Sequence, residues 1–497
     1  MNNRIPCKRG KTWKNWANTL SAKPQCIFYP KSQDDLIALV KQAKANKKKI
    51  RMAGSSHSWS PLVPTDSYLV MMGGLNSVTP YRNEKGSFVT IGPGATIGKV
   101  TKKTTQADMA FPTNGVPFTL QMGGFVAAGC HGTGWEQPTV PDLVYAMDIV
   151  LASGEVRTFS VEIDGEDVMN KVRVNLGSIG IISSITFKIE EMFNVHNVDE
   201  TVPLNQVINK DDPSMLKNWV ASPDNQYLEM MWMPFNGDTP AEDKIFIKHY
   251  KRTDKPLSRV KWGNYFFELT EPVLGPLFSL IQTIFIQLRP SAIPKMSKNV
   301  SQLIPQNNSV VPVTEALHYH KRAFRTLKIS LSKPPYENFI VGDASWAIPI
   351  DEDFGNITTA LCQIVDTVYD WAKDGKYPVS VVMIRFLKNS QALLSPAYQP
   401  AGSNVHTCFI EFITYAPKAH FEGFLNLIAH KLWMKMNGRP HWAKQFQDLD
   451  GIFPYLQQVY GPEFGDTLKK FKAFRDELDP DGMFLNAFVE RIFSTQK

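Results

Sequence analysis

The run Gly54-Ser55-Ser56-His57-Ser58 sets one imidazole among the smallest polar residues. Such residues let successive backbone N–H groups point into one concavity, which suits a pyrophosphate; a larger side chain would block close approach. A longer stretch follows from Asn114-Gly115 to Gly134. From Gly123 onward, five glycines, two alanines and a threonine lie within a dozen residues. Backbone with so little bulk can lie flat along a large planar or phosphate-bearing ligand. Near the C-terminus, Gly438-Arg439-Pro440-His441-Trp442-Ala443-Lys444 crowds an imidazole, an indole and an ammonium into one loop. That composition suits a place where negative charge develops.

A fourth glycine run is a decoy. Gly92-Pro93-Gly94-Ala95-Thr96-Ile97-Gly98 is spaced GxGxxxG, carries a proline inside its turn, and has no strand-end acid about twenty residues on. It does not read as a nicotinamide-dinucleotide fingerprint.

These loops need elements to position them. Ser32 caps a predicted helix with Asp34 and Asp35 in its first turn; Leu36, Leu39, Val40 and Ala43 recur at helical spacing, and Lys44, Lys47, Lys48 and Lys49 mark its end. The short strand Ile50-Arg51-Met52-Ala53 then runs straight into the His57 loop. Further strands are predicted at Ser67–Met72, Ser87–Ile91, Leu143–Leu151 and Ile181–Ile189. From about Phe193 the texture becomes richer in Trp, Met, Pro and Asn, with a strand predicted at Phe409–Tyr415 and a helix at Glu422–Met436. The reading is an α+β fold with a second domain inserted between two parts of the first: residues 1–192, 193–435 and 436–497.

Composition excludes little but sets bounds. The chain has 497 residues, 43% hydrophobic and 20% charged, so it is an ordinary globular chain long enough for two or three domains. A net charge of +7 spread over this length does not point to nucleic acid. Cys7, Cys26, Cys130, Cys362 and Cys408 are scattered and form no CxxC pair. Neither a disulfide framework nor a structural metal is expected, and a reducing compartment fits. The polar N-terminus has no signal-like apolar core, and Pro272–Leu288 is short for a membrane span, so a cytoplasmic or peripherally membrane-bound protein is expected, with that stretch as the possible lipid contact.

In order along the chain, RMAGSSHSWSPLVPTD, GGFVAAGCHGTG, NLGSIGIISSITF, SWAIP, IRFLKNSQALLSPAY, GRPHWAK and LDPDGMFLNAFVERIF resemble the sugar-1,4-lactone oxidases, within the vanillyl-alcohol-oxidase-like flavoproteins. The resemblance implies an FAD-binding domain of two α+β subdomains, closed by the C-terminal tail. A cap domain with an antiparallel sheet and helices would shape the substrate pocket. It implies that His57 is bonded covalently to FAD. Gly54, Ser55, Ser56 and Ser58 would wrap the pyrophosphate. Gln121, Gly123, Gly124, Gly129, Cys130, Gly132, Thr133 and Gly134 would line the flavin, and Gly177, Gly180 and Ile182 the adenosine side. Lys444 would face the flavin edge that gathers charge, Arg385 would bind substrate oxygens, and His441 lies beside them as a further catalytic candidate. The implied reaction is oxidation of a lactone hydroxyl by hydride transfer to flavin N5, with dioxygen the expected acceptor and hydrogen peroxide the product. An alditol, sterol or other alcohol is the alternative substrate, and a flavin-binding protein without turnover the alternative of another class.

Two positions depart from that pattern. The family usually has Glu-x-Arg where this chain has Met383-Ile384-Arg385, and methionine can neither take a proton nor pair with Arg385. Glu411 and His406 are the candidate substitutes. Cys130 sits where the family uses small residues to admit or exclude dioxygen, so both oxidase and dehydrogenase stay open.

Overall fold

The computed structural model describes residues 5–258, 289–302, 304, 306–317 and 341–494. The Pro272–Leu288 stretch lies outside them. Among the described residues no helix is long and apolar enough to cross a membrane.

The first sheet holds the strands Cys7–Lys8, Cys26–Phe28, Tyr68–Met71 and Ile50–Ala53, in that order. The last three are parallel. Helix Gln33–Ala45 crosses over between them. Ser32 and Asp35 close a capping box at its start, and Leu36, Leu39, Val40 and Ala43 bury its apolar stripe against the sheet. The cysteine expectation needs correction here: Cys7 and Cys26 are joined in a disulfide, because antiparallel pairing sets Cys7 opposite Phe28 and brings the two Cα atoms to 5.6 Å. Their sequence spacing held no hint of that pairing.

The second sheet is antiparallel, in the order Val156–Ser160, Val144–Val150, Ile181–Glu191, Gly86–Ile91, Val78–Asn83, with Met109–Ala110 beside the end of Ile181–Glu191. The C-terminal tail returns to this half of the molecule. Ile50 N–H donates to Met483 O at 2.8 Å, and Asn486 Nδ2 donates to Pro61 O and Pro64 O, each at 2.9 Å. Buried Arg51 binds the pieces together by donating to the carbonyls of Leu62, Leu176, Gly177 and Phe484.

The third sheet has eight antiparallel strands: Asn308–Pro312, Asn194–Pro203, Lys244–Arg252, Tyr227–Trp232, Val381–Leu387, Thr407–Thr414, Gly342–Pro349 and Arg439–Pro440. Alternate residues of a strand face opposite sides. On one side Met230, Ile384, Ile410 and Trp346 are buried, in one core with Ile357, Leu361 and Ile364 of helix Gly355–Lys373 and Phe421, Phe424 and Ile428 of helix Lys418–Ile428. The other side faces a cavity. The helix predicted at Glu422–Met436 starts earlier, directly after Pro417, and is α-helical only to Ile428. A π turn, Ala429–Trp433, and a short 3-10 turn carry the chain on to Asn437, whose positive φ of 55° ends it.

Candidate active site

A cavity of about 680 Å³ lies between the small-residue loops and the exposed face of the third sheet. The loop Gly54–Ser58 leaves strand Ile50–Ala53 and turns at Ser56, whose φ is 61°. That conformation is costly for a side chain with a Cβ, and local bonds hold it. Trp13 Nε1 donates to Ser56 Oγ at 2.9 Å, and Trp16 N–H donates to Ser56 O at 2.7 Å. The His57 ring stacks on Trp16 at 5.0 Å and 17°. Burial, helped by the charge of Lys444, lowers the His57 pKa to about 4, so the imidazole is neutral at pH 7 and keeps a lone pair. Neither tryptophan stood out in the sequence; the only trace of them was the aromatic pair in TWKNW.

The second loop lies opposite. A Cβ built on Gly123 would come within 2.6 Å of Pro93, whereas one on Gly124 would meet nothing within 4 Å, because Gly124 opens onto the cavity. Gln121 Oε1 and Trp16 Nε1 line the same space, buried and without a partner. Buried polar atoms are nearly always satisfied, so such orphans beside an open glycine floor fit a large ligand with both a ring system and polar groups. FAD is such a group. Gly54, Ser55, Ser56, Ser58, Gln121, Gly123, Gly124, Cys130, Gly132, Gly177 and Ile182 all line the cavity.

Four expected cofactor contacts do not line it. Gly129 backs onto Pro396 and Val174, and Gly180 onto Ile149. Thr133 is buried with its hydroxyl donating to Leu228 O, and Gly134 bridges to Leu387 of the third sheet. In these positions small residues allow close packing of protein on protein. The decoy behaves the same way: Cβ atoms on Gly92 and Gly94 would strike the carbonyl oxygens of Leu75 and Met72.

At the other end, the third sheet presents Glu229, Met231, Asp343, Ser345, Met383, Arg385, Glu411 and Ile413 to the cavity. Arg385 Nη1 donates to Glu411 Oε2 at 3.0 Å, and its Nε lies 3.4 Å from Glu229 Oε2. Lys444 Nζ donates to both Glu411 and Asp343. Burial works against the charge on Glu411, but Lys444 and Arg385 outweigh it and hold the carboxyl below the usual range. Burial opposes the charge on Lys444 too, and Asp343 and Glu411 raise its pKa above the ordinary lysine value. Glu411 thus occupies the place that a methionine left without a carboxylate: it is paired directly across from Met383. Glu229 and Asp343 were not foreseen, since nothing local marks a carboxylate as cavity-facing.

The remaining candidates separate. His441 lines the cavity, buried, and burial holds it well below the ordinary histidine value. His131 stacks on Phe409 at 3.6 Å and is lowered to about 3, first by burial and then by Arg385. The Cys130 thiol is pushed up to about 12 by burial, so it stays protonated. His406 is not at the site. It stacks on Trp135 at 3.7 Å, with Glu136 3.5 Å away, outside the cavity.

Comparison with known proteins shows the family and the fold. Residues 185–492 match the family model described as D-arabinono-1,4-lactone oxidase, and residues 24–160 match that of an FAD binding domain. The chain is 24% identical to the L-gulonolactone oxidase of Scyliorhinus torazame, covering 97% of this chain and 98% of that protein. It is 26% identical to an L-gulono-1,4-lactone dehydrogenase of Mycobacterium tuberculosis, over 97% of this chain and 98% of the relative. Among solved structures, a cholesterol oxidase from B. sterolicum superposes with a TM-score of 0.79 at 18% identity, covering 99% of this chain and 98% of that one.

Proposed function

Because the chain belongs to the D-arabinono-1,4-lactone oxidase family, we propose that it is an FAD-dependent oxidoreductase that oxidises a hydroxyl group of a sugar-1,4-lactone or related polyol. The observation that carries this reading is one continuous cavity with a small-residue end, backed by the buried guanidinium of Arg51, and an ion-paired end built on the third sheet. Bound FAD would supply a two-electron acceptor for the substrate's hydride.

The protein's own groups do the rest. His57 is the proposed covalent tether, with its ring neutral and its plane set by Trp16. Gly54 to Ser58 and Gln121 to Gly124 hold the cofactor by close backbone approach. Arg385, fixed on both sides by carboxylates, presents donors to a lactone carbonyl or hydroxyl oxygen. Lys444 provides a fixed, half-buried cation held between two carboxylates, which stabilises negative charge better than a freely solvated lysine could. Glu411 keeps both cations in place. His441 and Cys130 complete the wall, with Cys130 at the position proposed to regulate dioxygen access. Dioxygen is the proposed acceptor.

Met231 and Met383 are paired across neighbouring strands and both face the cavity. They favour a second reading: a hydroxyl substrate less polar than a sugar lactone. Anaerobic flavin bleaching with lactones, alditols and sterols separates the two. Bleaching by aldonolactones is expected; bleaching by sterols alone would overturn the lactone reading. Acid denaturation followed by peptide mapping tests the tether, which predicts flavin retained on the peptide containing His57.

A further inference from the structure

The charges on the cavity-facing side of the third sheet form an ordered row. Glu229 faces Arg385 directly across two strands. Arg385 pairs with Phe409, and Glu411 is the next residue on the same face. Glu411 in turn pairs with Ser345, and Asp343 is the next residue on that face. Lys444 reaches in from the loop after Arg439–Pro440 and bonds both Glu411 and Asp343. The signs therefore alternate from Glu229 through Arg385, Glu411 and Lys444 to Asp343.

Asp343 ends the row, and its surroundings differ from those of the other carboxylates. Its side chain is 6% exposed. Oδ2 accepts from Lys444, whereas Oδ1 is buried without a hydrogen-bond partner. The Asp343 and Glu411 carboxylates are neighbours that share the single Lys444 ammonium. Two carboxylates that close repel each other, and neither has a proton to donate. One proton on Asp343 relieves that repulsion and gives the pair an O–H donor that neither carboxylate otherwise has.

Resting on the lactone-oxidase reading, we infer that Asp343 is the proton acceptor of the reaction, with Glu411 the permanent anion that receives the resulting hydrogen bond. The substrate O–H bond breaks and its proton moves to Asp343. The electron pair left on oxygen becomes the second C–O bond as the carbinol hydride passes, with two electrons, to FAD. Asp343 then returns its proton to solvent before the next turnover.

The electrostatics agree with this division of labour. Burial, opposed by Lys444 and reinforced by Glu411, pushes Asp343 up to about 7, while Glu411 is held low by Lys444 and Arg385. Environments that drive two neighbouring carboxyls apart assign one to proton transfer and one to charge stabilisation. The other titratable groups facing this corner are His57, His131, His441, Cys130 and Tyr415; burial keeps the three imidazoles unprotonated and the thiol and phenol protonated, so all five are neutral at pH 7.

Infrared difference spectra of the holoenzyme between pH 5.5 and pH 8.5 test the proton directly. A protonated-carboxyl C=O band that titrates near neutrality and disappears in Asp343→Asn is expected. The same band surviving in Asp343→Asn would overturn the assignment. Anaerobic flavin reduction by a lactone substrate provides the second arm. The wild-type rate should rise with pH through about 7. Asp343→Asn should lose that inflection and fall by about 10² to 10³-fold, a normal loss for a general base, and Asp343→Glu should recover part of both. An Asp343→Asn enzyme with altered flavin content or KM but an intact pH inflection would show a merely structural aspartate. If no lactone bleached the wild type, the functional reading would fail instead, and the infrared arm would still decide where the proton resides.

Discussion

The two ends of the cavity are built by opposite means. At the end proposed for the cofactor, recognition would come from what is missing: Gly124 leaves the floor open, and Gln121 and Trp16 carry unpartnered polar atoms beside the space. At the end proposed for the substrate, recognition would come from charge: two half-buried cations are locked between three carboxylates. The first end should tolerate changes of charge and fail on added bulk. The second should tolerate bulk and fail on lost charge. A buried ion-pair network costs desolvation to assemble, and removing one member leaves its partners stranded at about 3 to 5 kcal/mol. Shape and charge therefore do separate jobs on separate elements, loops for one and a sheet face for the other.

The sharpest way to break that contrast is Gly124→Leu. Gly124 lies within helix Met122–Ala127, where leucine is a good former, so the protein should fold while its flavin-to-protein ratio falls to near zero. Full flavin content in that variant would refute the open-floor argument. Next in size, Lys444→Met should keep flavin yet cut the rate of anaerobic reduction by about 10² to 10³-fold, as expected for a fixed donor at developing charge. Arg385→Met should act mainly on substrate affinity, read as a rise in KM. A smaller effect is expected from Met383→Glu, which places a second carboxylate directly beside Glu411. It should weaken turnover of less polar alcohols more than that of lactones, and an unchanged preference would remove Met383 from specificity. The smallest is a pH effect on stability. His131 is lowered to about 3 when folded, so between about 6.5 and 3 the unfolded chain binds the proton that the folded one refuses. Its contribution is complete above 6.5 and fades as pH falls. The melting temperature should decline over that window, less steeply in His131→Gln.

Local pattern made much of the FAD half legible. Ser32, the Leu36–Ala43 stripe and strand Ile50–Ala53 follow from capping, period and β-branched content, and each is where those rules put it. The small-residue loops were visible because missing bulk is a property of consecutive residues. What failed was the finer distinction within the loop: Gly124 faces the cavity, but Gly129 and Gly134 serve protein packing, and glycine looks the same in both roles. The Cys7–Cys26 bond was missed for a similar reason, since it depends on a strand pairing that cysteine spacing does not encode.

The charged end was the less legible one. Arg385 came from resemblance, and Lys444 from the composition of its loop together with resemblance. Glu411 was one candidate beside His406, and chemistry alone could not choose between them. Side chains in a strand alternate between faces, so the outcome turned on register: pairing Met383 with Glu411 and Glu229 with Arg385 puts those carboxylates in the cavity, while His406, before the strand begins, falls against Trp135.

The linear order of residues was enough to show an FAD-binding half whose small-residue loops include His57, because backbone exposure and helix and strand period are set by near neighbours. Only the tertiary structure decided which carboxylates hold Arg385 and Lys444 and which one keeps an oxygen free. Those pairings join residues 229, 343, 385, 411 and 444 across five segments. An electrostatic interaction depends on distance in space, and sheet register, not sequence separation, sets that distance.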